Sequence, residues 1–577
     1  MYLQSLFPNV SSFPETNATN VFFNRPDQAQ WPDYTLHIDA KTGKKRTFRE
    51  FKERVRLGAT ALGAPVADGG LGLRVEDGEI VGIMSHNSSD YIALLQSLLT
   101  ITVPIALIGH YSTPFELQHA LQLSKATRLF VHARLLPVVL PVAEKVGLPA
   151  SKIYILGGNA PGRKSFKEMV EEARIRKMPI QEVRPAKRDT LAYLVFSSGT
   201  SGLPKAVMIS HGNLVYSIGQ VAVMGQATAA VYTPPKPKSP DGLPRVLAFL
   251  PIHHSYGLHA FAFRAFMTPT TLVILSQWNL KVAIESISKY RITTLFLIPS
   301  VVHQLVNYPG IEKADLSSVQ SLGSGAAYLP PDIAQKLLDL APAGATFVEG
   351  YGMSECTIAA LTRPVPGILG GKGKFVPGAT GILLPGMEAR IVRDDGTEAD
   401  FNEPGELYLK SPNISPGYWN NEKSTRETFI DGWLHTGDKF SVNKDGYFFF
   451  ADRAKDTLKV SGSQVSPVEI EAVLLAEPQH LIMDASVAGV NGHGRTSDEK
   501  VPRAWVVLSA AGKKIGAQAT LKVLEKWHQE QLSKYKWLRG GIEVVEEIPK
   551  SPTGKVLRRV LVEKYEKEVI KRVPAKL

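Results

Sequence analysis

Between residues 80 and 297 the chain repeats one pattern: short, apolar, β-branched runs separated by longer stretches of helical periodicity. The runs fall at residues 80–84, 129–131, 153–156, 191–196, 246–250, 271–275 and 293–297. Such a run is short for a helix and too apolar for an exposed strand, so both of its faces must be covered. Helices alternating with the runs supply that cover and predict α/β layers on largely parallel sheets. The uncharged stretch at residues 91–109 approaches the length of a membrane span. Gln96, Ser97, Thr100, Thr102 and Pro104 interrupt it, so it reads as a buried helix followed by a strand.

Past residue 400 the runs shorten and Gly and Asp turns multiply, as at residues 405–409 and Asp445-Gly446, which suits a β-rich subdomain. Beyond residue 455 a helix is expected at 467–475, strands at 485–490 and 504–508, a long polar helix at 518–532 and a strand at 542–545. The economical division of the 577 residues is an N-terminal domain, residues 1–454, of two α/β subdomains plus the β-rich one, followed by a small α+β C-terminal domain, residues 455–577. A hydrophobic content of 44% supplies material for such cores and excludes a disordered or collagen-like chain. Residues 233–240, with four prolines and two lysines, read as an extended solvated loop, and residues 370–374 as a flexible one.

The single cysteine, Cys356, can form no internal disulfide and no cysteine-based metal centre, which predicts an intracellular chain. A net charge of +12 on so long a chain is not a nucleic-acid footprint. From residue 456 onward 20 Lys and Arg face 15 Asp and Glu, an excess suited to a polyanionic small molecule as well as to an ordinary solvated surface. The first residues have neither the basic nor the apolar region of a secretory signal, so the Asn-x-Ser/Thr triplets at Asn9 and Asn17 are expected to be inert.

Chemistry concentrates first at residues 193–205, YLVFSSGTSGLPK, where a strand runs into small hydroxyl and glycine residues and ends at Lys205. Such a loop turns backbone amides and hydroxyls toward phosphate oxygens, with the lysine adding charge. Neither Gly199 to Lys205 nor Gly554-Lys555 has the Walker spacing. A Ser/Gly linker would not be flanked by apolar strands, as this segment is.

This loop resembles the phosphate-binding signature of the adenylate-forming superfamily: acyl- and aryl-CoA synthetases, 4-coumarate:CoA ligases and firefly luciferase. Further motifs follow in family order: LPIHHSYGL at 250–258, GYGMSE at 350–355, GELYLKSPNISPGYW at 405–419, GWLHTGD at 432–438, DRAKDTLKVSGSQVSPVEIE at 452–471 and PKSPTGK at 549–555. They span about residues 30 to 560 and look most like 4-coumarate:CoA ligases. The resemblance implies ATP-dependent activation of a carboxylic acid to an acyl adenylate, then transfer to coenzyme A, with a mobile C-terminal domain.

By that resemblance Ser197, Ser198, Gly199, Thr200, Ser201, Gly202 and Lys205 would hold the ATP phosphates, Ser354 would contact phosphate, and Glu355 would bind Mg²⁺. Tyr351 would lie along the adenine, Asp438 would accept the ribose hydroxyls, and Arg453 would reach the ribose and phosphate side. Gly325 belongs with the nucleotide residues as well as the acyl ones. Lys555 would bridge the incoming carboxylate and an α-phosphate oxygen, where charge concentrates. His254 would sit near the acyl carboxylate and the thiol path, with His253 structural. Lys455 would be the hinge, and rotation would replace Lys555 by the loop running from Lys459 through Ser461 and Gly462 to Gln464.

The acyl pocket implied by the coumarate-ligase pattern comprises Tyr256, Ala260, Ser300, Gly325, Ala326, Gly350, Ile358 and Ala359. It looks apolar, with no cation at Val306 or Asn307, which favours a hydrophobic aryl or medium-chain acid over a hydroxycinnamate. Cys356 reads as a packing residue. Ala206 stands where the family usually has glycine, tolerable at negative φ. Ser461 replaces a lysine tied to oxygenation in luciferases, which argues against a luciferase-like oxygenase. Transfer to a carrier protein, amine or alcohol remains the nearer alternative. A non-catalytic nucleotide-binding protein is disfavoured by the full set of charged motif residues, and a serine hydrolase by the lack of a Gly-x-Ser-x-Gly elbow. The final Ala575-Lys576-Leu577 has the form of a peroxisomal address, which predicts an import receptor as partner.

Overall fold

The computed structural model describes all residues except 12–14, 198–203, 327, 328, 330, 454–457, 461, 462, 466, 493–499, 533–535, 553 and 573–577. Each apolar run in residues 80–297 forms a strand, and the strands divide between two sheets. The first runs, in spatial order, Ile153–Gly157, Arg128–His132, Val81–Met84, Ile105–Leu107, Leu191–Ser197 and Lys205–Ser210; it is parallel except for its last, antiparallel pair. The second has nine strands. Its parallel centre, Thr346–Tyr351, Ser321–Ser324, Thr294–Leu297, Arg245–Ala248, Thr271–Ile274 and Thr35–Asp39, is edged by antiparallel strands on both sides.

One apolar core joins the two layers. The uncharged stretch forms the helix Ser89–Thr100, capped by Ser88 and buried over most of its length, and then the strand Ile105–Leu107. Ser97 donates to the Ala93 and Val55 carbonyls and Gln96 to that of Ala262, while Gln96 Oε1 and the Tyr91 hydroxyl have no partner among the described residues. Among the described residues no helix is long and apolar enough to cross a membrane. Asn17 is itself buried, donating to the Leu99 and Arg184 carbonyls while capping the helix Ala18–Phe23, so its triplet offers no acceptor side chain to solvent.

The β-rich subdomain is an antiparallel sheet of Tyr2–Gln4, Glu388–Val392, Gly405–Lys410 and Trp433–Val442, whose far edge pairs with both Phe429–Ile430 and Phe448–Arg453. Sheet membership changes between Arg453 and Leu458. Beyond it lie the hairpin Leu458–Val460 and Ser463–Val465, the helices Pro467–Leu475 and Ala517–Gln531, and the sheet Ile482–Asn491, Lys500–Leu508 and Ile542–Val544. These elements enclose their own apolar core.

Candidate active site

Loops at the ends of these sheets surround one cavity of about 1880 Å³, lined by both domains. Pockets for a single small molecule are typically ~300–1,000 Å³, so this one has room for a nucleotide and an acid together.

The predicted phosphate loop closes an antiparallel pair: Ser197 ends one strand, and Lys205 begins the next directly opposite it. Ser198, Gly199, Thr200, Ser201 and Gly202 lie outside the described residues. Ser197 and Lys205 both line the cavity, and His119 donates through Nε2 to the Pro204 carbonyl at 2.8 Å, fixing the loop's exit. Ala206 is in the strand Lys205–Ser210, has no positive φ and is fully buried, so its methyl is accommodated.

The segment 417–419 pairs with this strand, through Met208 N–H to the Gly417 carbonyl and Trp419 N–H to the Ala206 carbonyl. That pairing sets the Tyr418 ring under the Lys205 ammonium, 4.7 Å from Nζ. The Tyr418 hydroxyl donates to Glu355 Oε1 at 2.9 Å, and burial with the adjacent carboxylate raises its pKa. Glu355 is buried, and its carbonyl accepts from Ser415 N–H. Ser354 shares a 2.9 Å hydrogen bond with Ser255. Gly352 is required by close approach, because a Cβ there would run into the Ile358 carbonyl.

Tyr351 donates its hydroxyl to Asp438 Oδ2 at 2.7 Å, while its ring meets Phe440 edge-on. Burial, with Asp438 adding to it, raises the Tyr351 pKa. Arg453 faces Asp438 across the antiparallel strands in backbone register. The Tyr111 hydroxyl lies between Nε2 of His254, 2.8 Å away, and Nε2 of His253, 3.0 Å away. Burial pulls the His254 pKa down to about 4, which keeps the ring neutral at physiological pH. Cys356 is buried, and burial pushes its thiol up to about 12, in keeping with a packing role.

Lys555 reaches the same cavity from the C-terminal domain. It sits in a tight turn in which Lys555 N–H donates to Ser551 Oγ, Ser551 N–H to the Lys555 carbonyl, and Lys550 bridges Val556. Gly554 supplies the turn's φ of 80°. Lys459 and Gln464 oppose each other in their hairpin, and Leu458 packs into the C-terminal core. Lys455, Ser461 and Gly462 lie outside the described residues.

Of the expected acyl-pocket residues, Tyr256, Gly325, Ala326, Gly350, Ile358 and Ala359 line the cavity. Ala260 does not: it belongs to a π-helical turn, His259–Phe263, and packs into the core. Ser300 lies in the helix Pro299–Val306, whose Pro299 and His303 line the wall. Arg264 also lines the cavity, a charged group that the reading of an apolar acyl pocket did not include. Arg264 is the one Asp, Glu, Lys or Arg in the otherwise uncharged residues 246–280, a signal the sequence carries and the motif reading passed over. Tyr418 and Tyr111 were missed as well; their partners come from segments far away in sequence. Among the described residues no group of three or more His, Cys, Asp or Glu is placed to hold a metal ion.

Two α/β layers, a β-rich sheet and a small α+β domain around a cavity with these lysines and carboxylates define an adenylate-forming enzyme. The AMP-binding enzyme model matches residues 25–419, and the AMP-binding enzyme C-terminal domain model matches residues 469–555. Probable 4-coumarate–CoA ligase 1 of Dictyostelium discoideum is 31% identical over 576 residues, with 97% of each chain covered. Peroxisomal OPC-8:0-CoA ligase 1 of Arabidopsis thaliana is 30% identical, covering 91% of this chain and 89% of its own. The crystal structure of the anthranilate CoA ligase AuaEII in complex with anthranoyl-AMP superposes with a TM-score of 0.79 at 24% identity, over 97% of this chain and 99% of that one. The chain belongs to the AMP-binding enzyme family. By class it is an AMP-forming carboxylic acid:CoA ligase.

Proposed function

We propose that the cavity binds ATP and an acid with an apolar body, whether aryl, phenylpropanoid or medium-chain, and that the named side chains carry both half-reactions. The observation behind this reading is that Lys205, His254, Glu355, Asp438 and Lys555, drawn from both domains, line one cavity.

In adenylation a carboxylate oxygen attacks the α-phosphorus and the bond to pyrophosphate breaks. Two anions must meet, so fixed cations at the meeting point lower the barrier. Lys555 would bridge the carboxylate and an α-phosphate oxygen, while Lys205 and residues 197–202 would hold the β- and γ-phosphates. Asp438 would accept the ribose hydroxyls, with Tyr351 along the adenine, Ser354 on phosphate, Gly325 nearby and Arg453 on the ribose side. The residues fit Mg²⁺ in its usual mode of one carboxylate plus phosphate and water oxygens: Glu355 has one oxygen anchored by Tyr418. When bound there, the cation would neutralise charge on the leaving pyrophosphate.

In the second half-reaction the coenzyme A sulfur attacks the acyl carbon and AMP leaves with the bonding pair. Neutral His254 would orient the acyl group through shape and hydrogen bonding, since it carries no charge at physiological pH. Turning of the C-terminal domain at Lys455 would withdraw Lys555 and bring in the Lys459 to Gln464 segment.

Lys555→Ala is expected to lower acid-dependent pyrophosphate release by about 10²–10³-fold while leaving thioester formation from preformed acyl-AMP within a few-fold. Equal loss of both would remove the role assigned to Lys555. Delivery to peroxisomes is part of the same proposal. The tripeptide Ala575-Lys576-Leu577 lies outside the described residues; its form, and the peroxisomal name of the Arabidopsis relative, support the reading. A fluorescent fusion lacking the three residues should stay outside peroxisomes, and unchanged import would refute the address.

A further inference from the structure

Arg264 occupies an unusual position for a cation. It follows the π-helical turn His259–Phe263, a local widening of the helix of the kind that recurs at functional sites. The turn is packed among Phe22, Phe263 and Phe266 on its core side, and Arg264 lines the cavity. Its Nε is shielded from solvent with no hydrogen-bond partner. No carboxylate forms an ion pair with it among the described residues, and several of the cavity's acidic groups are engaged elsewhere: Glu349 with Arg363, Asp484 with Lys550, Glu471 with Arg558, Glu355 with Tyr418 and Asp438 with Tyr351. Burial lowers its pKa only to about 10, with the Tyr256 hydroxyl the one neighbour acting on it, so it is a cation at physiological pH.

Arg264 is partly buried, with Nε its one guanidinium nitrogen closed to solvent without a partner, and a cation held there without an anion costs stability. Its surroundings supply the reason for its presence. Tyr256 and Phe296, ring centroids 6.3 Å apart, line the same cavity beside Gly323 and Gly325 and give that stretch of wall apolar rings. His254 precedes this helical segment and Arg264 follows its π turn, so the two line the cavity from opposite ends of the segment. An acid held at its reacting carboxylate near His254 and Lys555 could lay its body along these rings and bring its other end to Arg264.

We propose that Arg264 is a specificity-determining residue that receives a second carboxylate at the far end of the acid, so that the preferred substrate is a dicarboxylic acid with an apolar middle. This rests on the acid:CoA ligase reading above. It refines that reading by giving the apolar body an anionic end.

The test compares mono- and dicarboxylic acids of matched length, aliphatic and aryl, in the full-length enzyme and in Arg264→Met. The readouts are kcat and KM for pyrophosphate release with coenzyme A, and the dissociation constants of the matching acyl-sulfamoyl adenosines, which bind without turning over. The wild type is expected to favour one diacid over its monoacid by about 10²-fold in kcat/KM, mostly through KM, and to bind that diacid analogue correspondingly tighter. Arg264→Met should lose this preference, keep the monoacid rate within a few-fold, and melt at or above the wild-type temperature. Equal losses for both acids would place Arg264 on the reacting carboxylate or in a structural role, as would a lowered melting temperature, and would overturn the proposal. So would a wild type that binds both analogues alike, or neither. Discrimination between the analogues with no turnover of any acid would sustain Arg264's role and refute the ligase reading, so the two can fail separately.

Discussion

Tyr418 shows how one ring can serve two charges. Its face carries the Lys205 ammonium and its hydroxyl anchors Glu355, so the phosphate-side cation and the expected Mg²⁺ carboxylate are held by one side chain. A hydrogen bond to a charged group contributes about 1.5–3 kcal/mol, so Tyr418→Phe, which keeps the ring, is expected to raise the KM for ATP roughly 10-fold or more at fixed Mg²⁺. Tyr418→Leu, which also removes the cation–π contact, should be worse. Steady-state kinetics in ATP and Mg²⁺ check this, and a Phe variant matching wild type would contradict it. Lys205, Glu355, Asp438 and Lys555 were legible because each falls within a motif whose residue types suit phosphate or ribose. Tyr418 sits inside a motif too, but its role depends on the pairing of residues 417–419 with the strand Lys205–Ser210, which local sequence does not display. Ala260 failed as a pocket residue because the π-helical turn places it in the core.

At the scale of elements, the ends of four parallel strands gather imidazoles, of which His253 and His254 line the cavity. His86 follows Val81–Met84, His110 follows Ile105–Leu107, His132 ends Arg128–His132, and His253 and His254 follow Arg245–Ala248. Their rings form a chain of contacts, with centroids 4.4 Å apart for His86 and His110, 5.2 Å for His86 and His132, and 5.4 Å for His110 and His253. Burial, reinforced by neighbouring positive charges, lowers all five pKa values, to about 4 for His110 and His254. The sign follows: between pH about 6.5 and 4 the unfolded chain takes up protons that the folded one refuses. Stability is therefore full above about 6.5 and falls as pH drops, less through the half-buried His86 and His132 than through the more deeply buried His253 and His254. Melting temperatures across this range should decline steeply for wild type and less steeply for His110→Gln; identical slopes would contradict the account. The strands themselves were readable from their apolar runs, and the helix at 467–475 matched to the residue. The placement of Thr35–Asp39 beside Thr271–Ile274, which carries its hairpin partner Lys45–Thr47 to the edge of the second sheet, and of Tyr2–Gln4 beside Glu388–Val392 was not readable, because those two pairings join segments hundreds of residues apart and no local pattern encodes them.

At the scale of the whole molecule, the two-domain plan brings a C-terminal lysine to a cavity built mainly by the N-terminal sheets, with Lys555 and Lys205 on one wall system. The change in strand texture and in motif order suggests a division near residue 454, and sheet membership changes between Arg453 and Leu458. Which half-reaction the arrangement serves was not legible, since it depends on how the domains meet. Here Lys555 lines the cavity, the placement that its proposed part in adenylation needs. The central claim is that one cavity activates an acid with ATP and hands it to coenzyme A. The most direct measurement follows acid-dependent pyrophosphate release across aliphatic, benzoic, phenylacetic, cinnamic and dicarboxylic acids, with and without coenzyme A, and detects the product by mass. The account predicts that release with at least one acid rises on adding coenzyme A and that the matching thioester appears with AMP. Adenylate trapped by hydroxylamine without any thioester, or no acid-dependent release at all, would contradict it.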